Sequence, residues 1–533
     1  MTSEVHDFIV IGAGSAGCAV AGRLAEAGHS VLLIEAGGRD LNPFIHIPLG
    51  YSLLYSNPSV NWCYTSAPEP HLNNRRLFQP RGKVLGGTGA INGMIYMRGQ
   101  REDFDGWEAD GCTGWGWDGV LPYFKSCEDQ ERGADPYHGT GGPVAVSDIR
   151  TEHPLGEAFH SASEALGVPP NPDFNGPRQE GTGYVQTTTR NGRRWSTATG
   201  YLRGKARANI RLCLNALVQR IEMDGTRCVG VTWRDRSGTH TARARREIIL
   251  SAGTFNSPQL LQVSGIGDGA MLQSMGVTPR HNLPGVGANL QDHFGIGAEY
   301  RSTVAMTVND LYNNKFKGAL QLLRWLLFRT GPFADNGNYS NTFIRSSPDI
   351  ERPDMMVTFM AWCTDEQLRP NPFPGFTILA EHMRPNSRGH VRITSPKPED
   401  APEIQFNFFA SESDRKAALA GLKFARKIAQ TAPMSECVAE ELSPGPDTRS
   451  DDALLEHCRQ NGLSLLHPVG TCKMGVGPDA VVDPRLRVHG LQGLRVADAS
   501  IMPRIVTGNT NAAAIMIGEK AAALILEDLK RSA

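Results

Sequence analysis

Four apolar residues, Phe8-Ile9-Val10-Ile11, run into Gly12, and a second run, Val31-Leu32-Leu33-Ile34, ends at Glu35. Unbroken apolar runs of this length fit strands buried on both faces. Small residues between them (Ala16, Ala19, Ala21, Gly22) suit a helix packed closely on a sheet, so residues 6–38 read as strand, helix, strand. Residues 40–80 carry Pro43, Pro48, Pro58, Pro68 and Pro70 without sustained periodicity and predict a long extended excursion or lid. Residues 81–105 predict a glycine-rich loop running into a helix, and Trp107, Trp115 and Trp117, set among glycines and acids, predict surface helix and loop.

Strand signals return at Ile210–Leu214, Val229–Trp233 and Glu247–Ala252. Ser257-Pro258 then predicts a helix start, with Ser257 as N-cap and Pro258 at the first helical position. Residues 300–450 have another texture. A helix is expected over about 310–329, where Leu320, Leu323 and Leu327 recur at helical spacing and predict a half-buried face. Strand-like runs follow at Met355–Met360, Phe376–Met383, His390–Thr394 and Ile404–Phe409 without crossover helices, which predicts an antiparallel sheet. A helix near 411–431, a strand at Leu494–Asp498 and a closing helix from about Asn511 complete the chain.

The fold class expected is α/β with antiparallel β. A Rossmann-like dinucleotide-binding domain is assembled from residues 1–155, 200–300 and 455–533, and an inserted substrate-binding domain from 156–199 and 301–454. At 533 residues the chain exceeds one ordinary domain. A net charge of −1 argues against a nucleic-acid partner. Ten cysteines without C-x-x-C pairs read as reduced, packed thiols, and no metal site is expected. No secretory signal and no apolar run near ~20 residues is present. The expected location is therefore cytoplasmic, with no integral membrane segment and peripheral membrane contact left open.

Gly12, Gly14 and Gly17, with a strand before, a helix after and Glu35 at the next strand end, fit the dinucleotide-binding fingerprint. Gly12 permits the tight turn, Gly14 the close approach of backbone to a pyrophosphate, and Gly17 the packing of helix on strand. Glu35 is placed to accept hydrogen bonds from a ribose. NAD, NADP and FAD all use this motif, and Glu35 argues mildly against NADP. The second glycine loop (Gly86, Gly87, Gly89, Gly93) offers backbone to a flat or phosphorylated ligand, with Asn92 able to donate and accept. Anion binding and a solvated or salt-bridged loop are equal readings of Arg193 and Arg194. A His before Pro, as at His467, is by itself most often a loop or core residue.

Three stretches resemble the glucose–methanol–choline (GMC) oxidoreductases: Gly82–Asp105, Gly253–Gly267, and His467–Gly475 followed by Gly508-Asn509-Thr510-Asn511. The likeness is greater to bacterial choline, L-sorbose and polyethylene-glycol dehydrogenases, to which Pro170–Gly176 and Arg194–Ala198 are similar. The resemblance implies a flavoprotein that oxidises a primary alcohol and passes electrons to a quinone or other acceptor, or to O2. It assigns FAD contacts to Gly12, Gly14, Ser15, Ala16, Gly17, Glu35, Ala36, Gly87, Thr88, Asn92, Gly93, Met94, Val218, Ala252, Asp498, Ala499, Thr510 and Asn511. Ile91 stands where some members carry a flavin-linked His, so non-covalent FAD is expected.

Hydride leaves an alcohol for the flavin while the protein handles the hydroxyl proton. The family assigns the proton to His467 and the second hydrogen bond to the alcohol oxygen to Asn509, in preference to Asn511. His293 reads as structural and Cys472 as packing. A hydroxynitrile-lyase-like enzyme of the same fold, or a non-catalytic dinucleotide-binding protein, are the competing readings. Phe333, Tyr339, Phe359 and Trp362 predict an apolar, aromatic substrate wall, compatible with aromatic, aliphatic or polyether alcohols or a sugar alcohol and not favouring choline.

Overall fold

The computed structural model describes residues 4–364 and 369–532, which are built around two seven-stranded sheets. In the first, Glu4–Ile11 runs parallel to Val31–Ile34 on one side and Gly238–Leu250 on the other. Ile210–Cys213 and Leu494–Val496 extend its parallel part, and Leu217–Asp224 with Arg227–Asp235 form an antiparallel hairpin at one edge. The helix Ser15–Glu26 packs against the first strands and against the closing helix Asn511–Ser532. Phe8 to Ile11 and Val31 to Ile34 are all buried, which explains runs without alternation.

The second sheet is antiparallel throughout, in the order Val438–Ser443, Phe294–Ser302, Gly375–His382, Met355–Met360, Asn338–Ile344, Gly181–Tyr184. Leu463–Ser464 adds a short pairing to Phe294–Ser302. The helix Glu412–Ala429 covers one face through Phe359, Phe376, Ile378 and Ala380. After Gly238–Leu250 of the first sheet the next strand in either large sheet is Phe294–Ser302 of the second, so the division expected at residue 300 falls inside a strand. Likewise Leu463–Ser464, expected on the cofactor side, belongs to the antiparallel sheet.

Several local expectations are corrected. Trp107, Trp115 and Trp117 are buried, packed around Phe104 and Phe124. Trp107 and Trp115 bury their N–H groups by donating to the carbonyls of Arg504 and Pro484, 2.9 and 2.8 Å away. The second glycine loop forms a 3₁₀ turn, Gly87–Ala90, and stays extended until the helix Arg101–Ala109. His390–Arg392 pairs with Glu403–Gln405 in a separate ribbon.

The helix expected at Ser257 starts earlier, as Gly253–Val263, with Pro258 inside it. Pro258 cannot donate to the carbonyl of Thr254. Thr471 Oγ1 donates to that carbonyl instead, at 2.6 Å. Around residue 314 the single expected helix is two, Val308–Asn313 and Lys315–Phe328. The leucine stripe of the second faces outward, because Trp325, on the opposite side, is the residue packed inward.

Candidate active site

Three helices, Ser15–Glu26, Gly253–Val263 and Asn511–Ser532, begin at the wall of one cavity of about 1590 Å³. Their first turns present unpaired backbone N–H groups, which favours a negatively charged ligand. Ser15 Oγ donates to Asn511 Oδ1 at 2.6 Å and locks the first helix start to the last. A Cβ on Gly12 would lie 2.4 Å from the carbonyl oxygen of Ser251, and one on Gly17 would lie 2.0 Å from that of Gly12. Both positions therefore require glycine. The two glycine loops lie directly on each other: Gly86 N–H donates to Ala13 O at 2.8 Å, and a Cβ on Gly87 would come within 2.6 Å of Gly14 Cα.

All the predicted cofactor-binding and catalytic residues except Gly17 line this cavity, including Ala16, Ala36, Thr88, Gly93, Val218, Ala252, Ala499 and Thr510. Gly17 lies beneath the turn. Glu35 Oε2 accepts from Ala13 N–H and Oε1 from Gly37 N–H, at 2.9 and 2.8 Å. Burial nevertheless raises it to about 7. Asp498, just past the end of the strand Leu494–Val496, is buried. Its Oδ2 accepts from Gly253 N–H and Ser257 Oγ, and its Oδ1 from Ser500 N–H.

Arg194, read as an anion binder or a surface residue, is neither. It is buried and donates to the backbone carbonyls of Ile45, Gly89 and Asn92 and to Asn92 Oδ1. Asn92 Oδ1 also accepts from Met94 N–H, leaving its amide nitrogen for the cavity. Met94 has φ of 64°, a left-handed conformation that costs a non-glycine residue about 1–3 kcal/mol and clusters at ligand sites.

At the other end of the cavity, a chain of hydrogen bonds sets the protonation of His467. His293 Nε2 lies 3.1 Å from the carbonyl of Met383, which can only accept, so Nε2 carries the hydrogen. Burial, with His467 and His382 adding to it, holds His293 well below its usual value, so it is neutral and its Nδ1 accepts. His467 Nδ1–H donates to it at 3.0 Å. Burial, with the charge of Arg81 adding to it, lowers His467 to about 3. Its Nε2 therefore bears a lone pair, onto which Asn509 Nδ2 donates at 3.0 Å. Asn509 Oδ1 is buried with no partner.

Asp292 anchors the same loop, Oδ1 accepting from His467 N–H at 2.8 Å and Oδ2 from Ser464 Oγ. Arg81 lines the cavity and donates to Leu466 O at 2.7 Å. Arg81, Asp292 and His293 were missed as site residues; the Asp-His pair at 292–293 was the available signal.

The floor beside His467 is one face of the antiparallel sheet: Gly297, Glu299, Thr358, Met360, Thr377, Leu379 and Glu381. Of the predicted aromatic wall only Trp362 lines the cavity. Tyr339 and Phe359 point to the opposite face, as strand alternation requires, and Phe333 packs near Trp325. Burial raises Glu299 to about 7 and Glu381 to about 8, and Thr358 Oγ1 donates to Glu381 Oε1 at 2.6 Å. The floor thus sets the carboxyl groups of Glu299 and Glu381 and the hydroxyls of Thr358 and Thr377 among the apolar side chains of Met360 and Leu379.

The stacked glycine turns and converging helix starts define the class, a dinucleotide-binding protein with its ligand gripped by backbone. Residues 6–295 and 385–518 match the two GMC oxidoreductase family models, and the chain belongs to that family. It is 39% identical over 528 residues to an alcohol dehydrogenase (acceptor) of Pseudomonas putida, covering 98% of this chain and 96% of that protein. An oxygen-dependent choline dehydrogenase of Brucella melitensis is 41% identical over 528 residues, with coverage of 98% and 95%. Among solved structures, pyridoxine 4-oxidase from Mesorbium loti superposes with a TM-score of 0.89 at 30% identity, covering 97% of this chain and 98% of that one. A variant of Aspergillus oryzae RIB40 formate oxidase gives a TM-score of 0.93 at 26% identity over the whole of both chains. The protein is accordingly an FAD-dependent oxidoreductase acting on CH–OH donors. Among the described residues no helix is long and apolar enough to cross a membrane.

Proposed function

We propose that this chain oxidises a primary alcohol to an aldehyde at the His467–Asn509 end of the cavity. The observation that carries the reading is the 3.0 Å contact from Asn509 Nδ2 to a neutral His467 Nε2. A hydroxyl inserted between them donates to Nε2 and accepts from the amide, replacing one hydrogen bond by two. His467 takes the hydroxyl proton at Nε2 as hydride departs. Asn509 donates to the developing alkoxide, and Arg81 adds a positive charge to the same end. FAD, when bound, supplies the hydride acceptor. It fits the cradle because backbone of the two glycine loops and three helix starts face the cavity where side chains would close it.

Ile91, buried in the wall, supports non-covalent attachment. The Glu299–Glu381 floor supports an alcohol with a second polar group that hydrogen-bonds there, over a plain alkanol. The likeness to an acceptor-type alcohol dehydrogenase supports transfer of the electrons to a separate acceptor, with O2 the alternative that the oxygen-dependent choline dehydrogenase favours. On this reading the first sheet with its helices forms the cofactor domain and the antiparallel sheet the substrate domain. The test is anaerobic titration of the purified yellow protein with a panel of primary alcohols. Bleaching of the flavin band by a polar-substituted alcohol supports the reading; a band that no alcohol bleaches overturns it.

A further inference from the structure

The helix Lys315–Phe328 turns an apolar stripe to water. Phe316, Leu320, Leu323 and Leu327, at steps of four, three and four, are 81%, 53%, 50% and 64% exposed. These steps place all four on one line of the helix. Directly opposite sits Trp325, buried against Ile47 and Ala334, its indole N–H donating to Gly192 O at 2.7 Å. Asn314 caps the start by accepting from Lys317 N–H, and Arg329 closes the end in a left-handed conformation with its guanidinium over the Trp325 ring. The outward stripe is thus held rigidly and is not a frayed end.

Residues 314–330 contain Lys315, Lys317, Arg324 and Arg329 and no acid. Among the described residues none of the four is in a salt bridge. By helical phase, Lys317 and Arg324 flank the stripe on one side and Lys315 on the other. An apolar line bordered by cations is the arrangement of helices that lie in a lipid interface.

We propose that this helix docks the enzyme on an anionic phospholipid surface, with the stripe among the acyl chains and the cations at the headgroups. A second copy of the chain is the competing occupant, and charge decides against it. A two-fold contact through this face sets Lys315, Lys317 and Arg324 against the same three cations of the second copy, whereas an anionic bilayer neutralises them. The inward side of the docking helix packs, through Trp325, on the segment bearing Ile47, which continues into Tyr51 and Ser52 in the cavity wall. This inference stands independently of the proposed alcohol oxidation.

The test is co-sedimentation of the flavin-loaded, full-length protein with vesicles of equimolar phosphatidylglycerol and phosphatidylcholine, and with phosphatidylcholine alone. Expected are binding at least about tenfold stronger to the anionic vesicles, weakening in high salt, and loss in the combined variant Leu320→Ser, Leu323→Ser, Leu327→Ser. These side chains are solvent-exposed and outside the cavity, so flavin absorbance and dye-linked activity report that the variant is folded. Equal partition of wild type and variant, or no sedimentation at low salt, overturns the proposal. So does light scattering that shows a wild-type dimer dissociated by the triple variant.

Discussion

His293 and His467 face each other Nδ1 to Nδ1 at 3.0 Å, and that single contact decides which nitrogen of His467 is bare. Because His293 Nε2 is committed to the Met383 carbonyl, the lone pair of His467 is aimed at Asn509 and the cavity. His293 is thus a positioning residue. His293→Ala frees His467 to adopt the other tautomer and lowers kcat by about 10–100-fold while leaving KM and flavin content close to wild type. An unchanged kcat in a fully flavinated variant shows that the contact does not set the tautomer.

Removing the proton acceptor or its partner costs more. His467→Ala lowers kcat/KM by about 10²–10⁴-fold, and Asn509→Ala by about 10²–10³-fold. Stopped-flow measurement of anaerobic flavin reduction separates this from slow acceptor turnover. A variant that reduces its flavin at the wild-type rate removes that residue from the chemistry.

With His467 lowered to about 3, its imidazole is neutral at pH 5 to 8, with the hydrogen on Nδ1 and Nε2 bare. The sign follows: a base with a depressed value stays active as pH falls through the ordinary His value of ~6.5. The acid limb of kcat/KM lies below about pH 5, as read from a dye-linked pH profile. Arg81→Met removes a cation that disfavours the protonated form and moves the limb upward. A wild-type inflection near ~6.5 contradicts the assignment.

Gly87→Val introduces a Cβ where Gly14 Cα lies 2.6 Å away, at a φ of 55° that a β-branched residue adopts only with strain. The purified variant is expected to hold less than about a tenth of the wild-type flavin, judged by the ratio of absorbance at the flavin band to that at the protein band. Full flavination disproves the stacked-loop cradle.

Glu381→Gln keeps the shape of the floor and its bond to Thr358 but removes the ionisable proton. The KM for the preferred polar alcohol rises by about tenfold and that for a plain alkanol stays constant. Equal effects on both substrates show that the floor does not contact the distal group.

The glycine turns were legible in the sequence because their chemistry is local: strand, turn and helix start are contiguous. The same holds for Glu35, whose place follows from the next strand. The antiparallel sheet was legible as a texture of short strands without crossovers. What failed needed three-dimensional neighbours. Trp107 and Trp115 looked exposed because their carbonyl partners, Arg504 and Pro484, lie 397 and 369 residues away. His293 looked structural because its partner is 174 residues off. Tyr339 and Phe359 were assigned to the cavity without the strand phase that turns them to the other face. The stripe at Leu320 had the spacing of a packed helix, and periodicity alone reports a face without saying which side of the molecule receives it.

The bond from Ser15 to Asn511 joins the opening turn to the final helix across 496 residues. Its consequence concerns biosynthesis. The opening turn forms from contiguous residues, but the cradle is whole only once the helix Asn511–Ser532 has been made and has docked on it, so flavin loading is expected to follow that docking. Flavin absorbance therefore reports that these two distant segments have met.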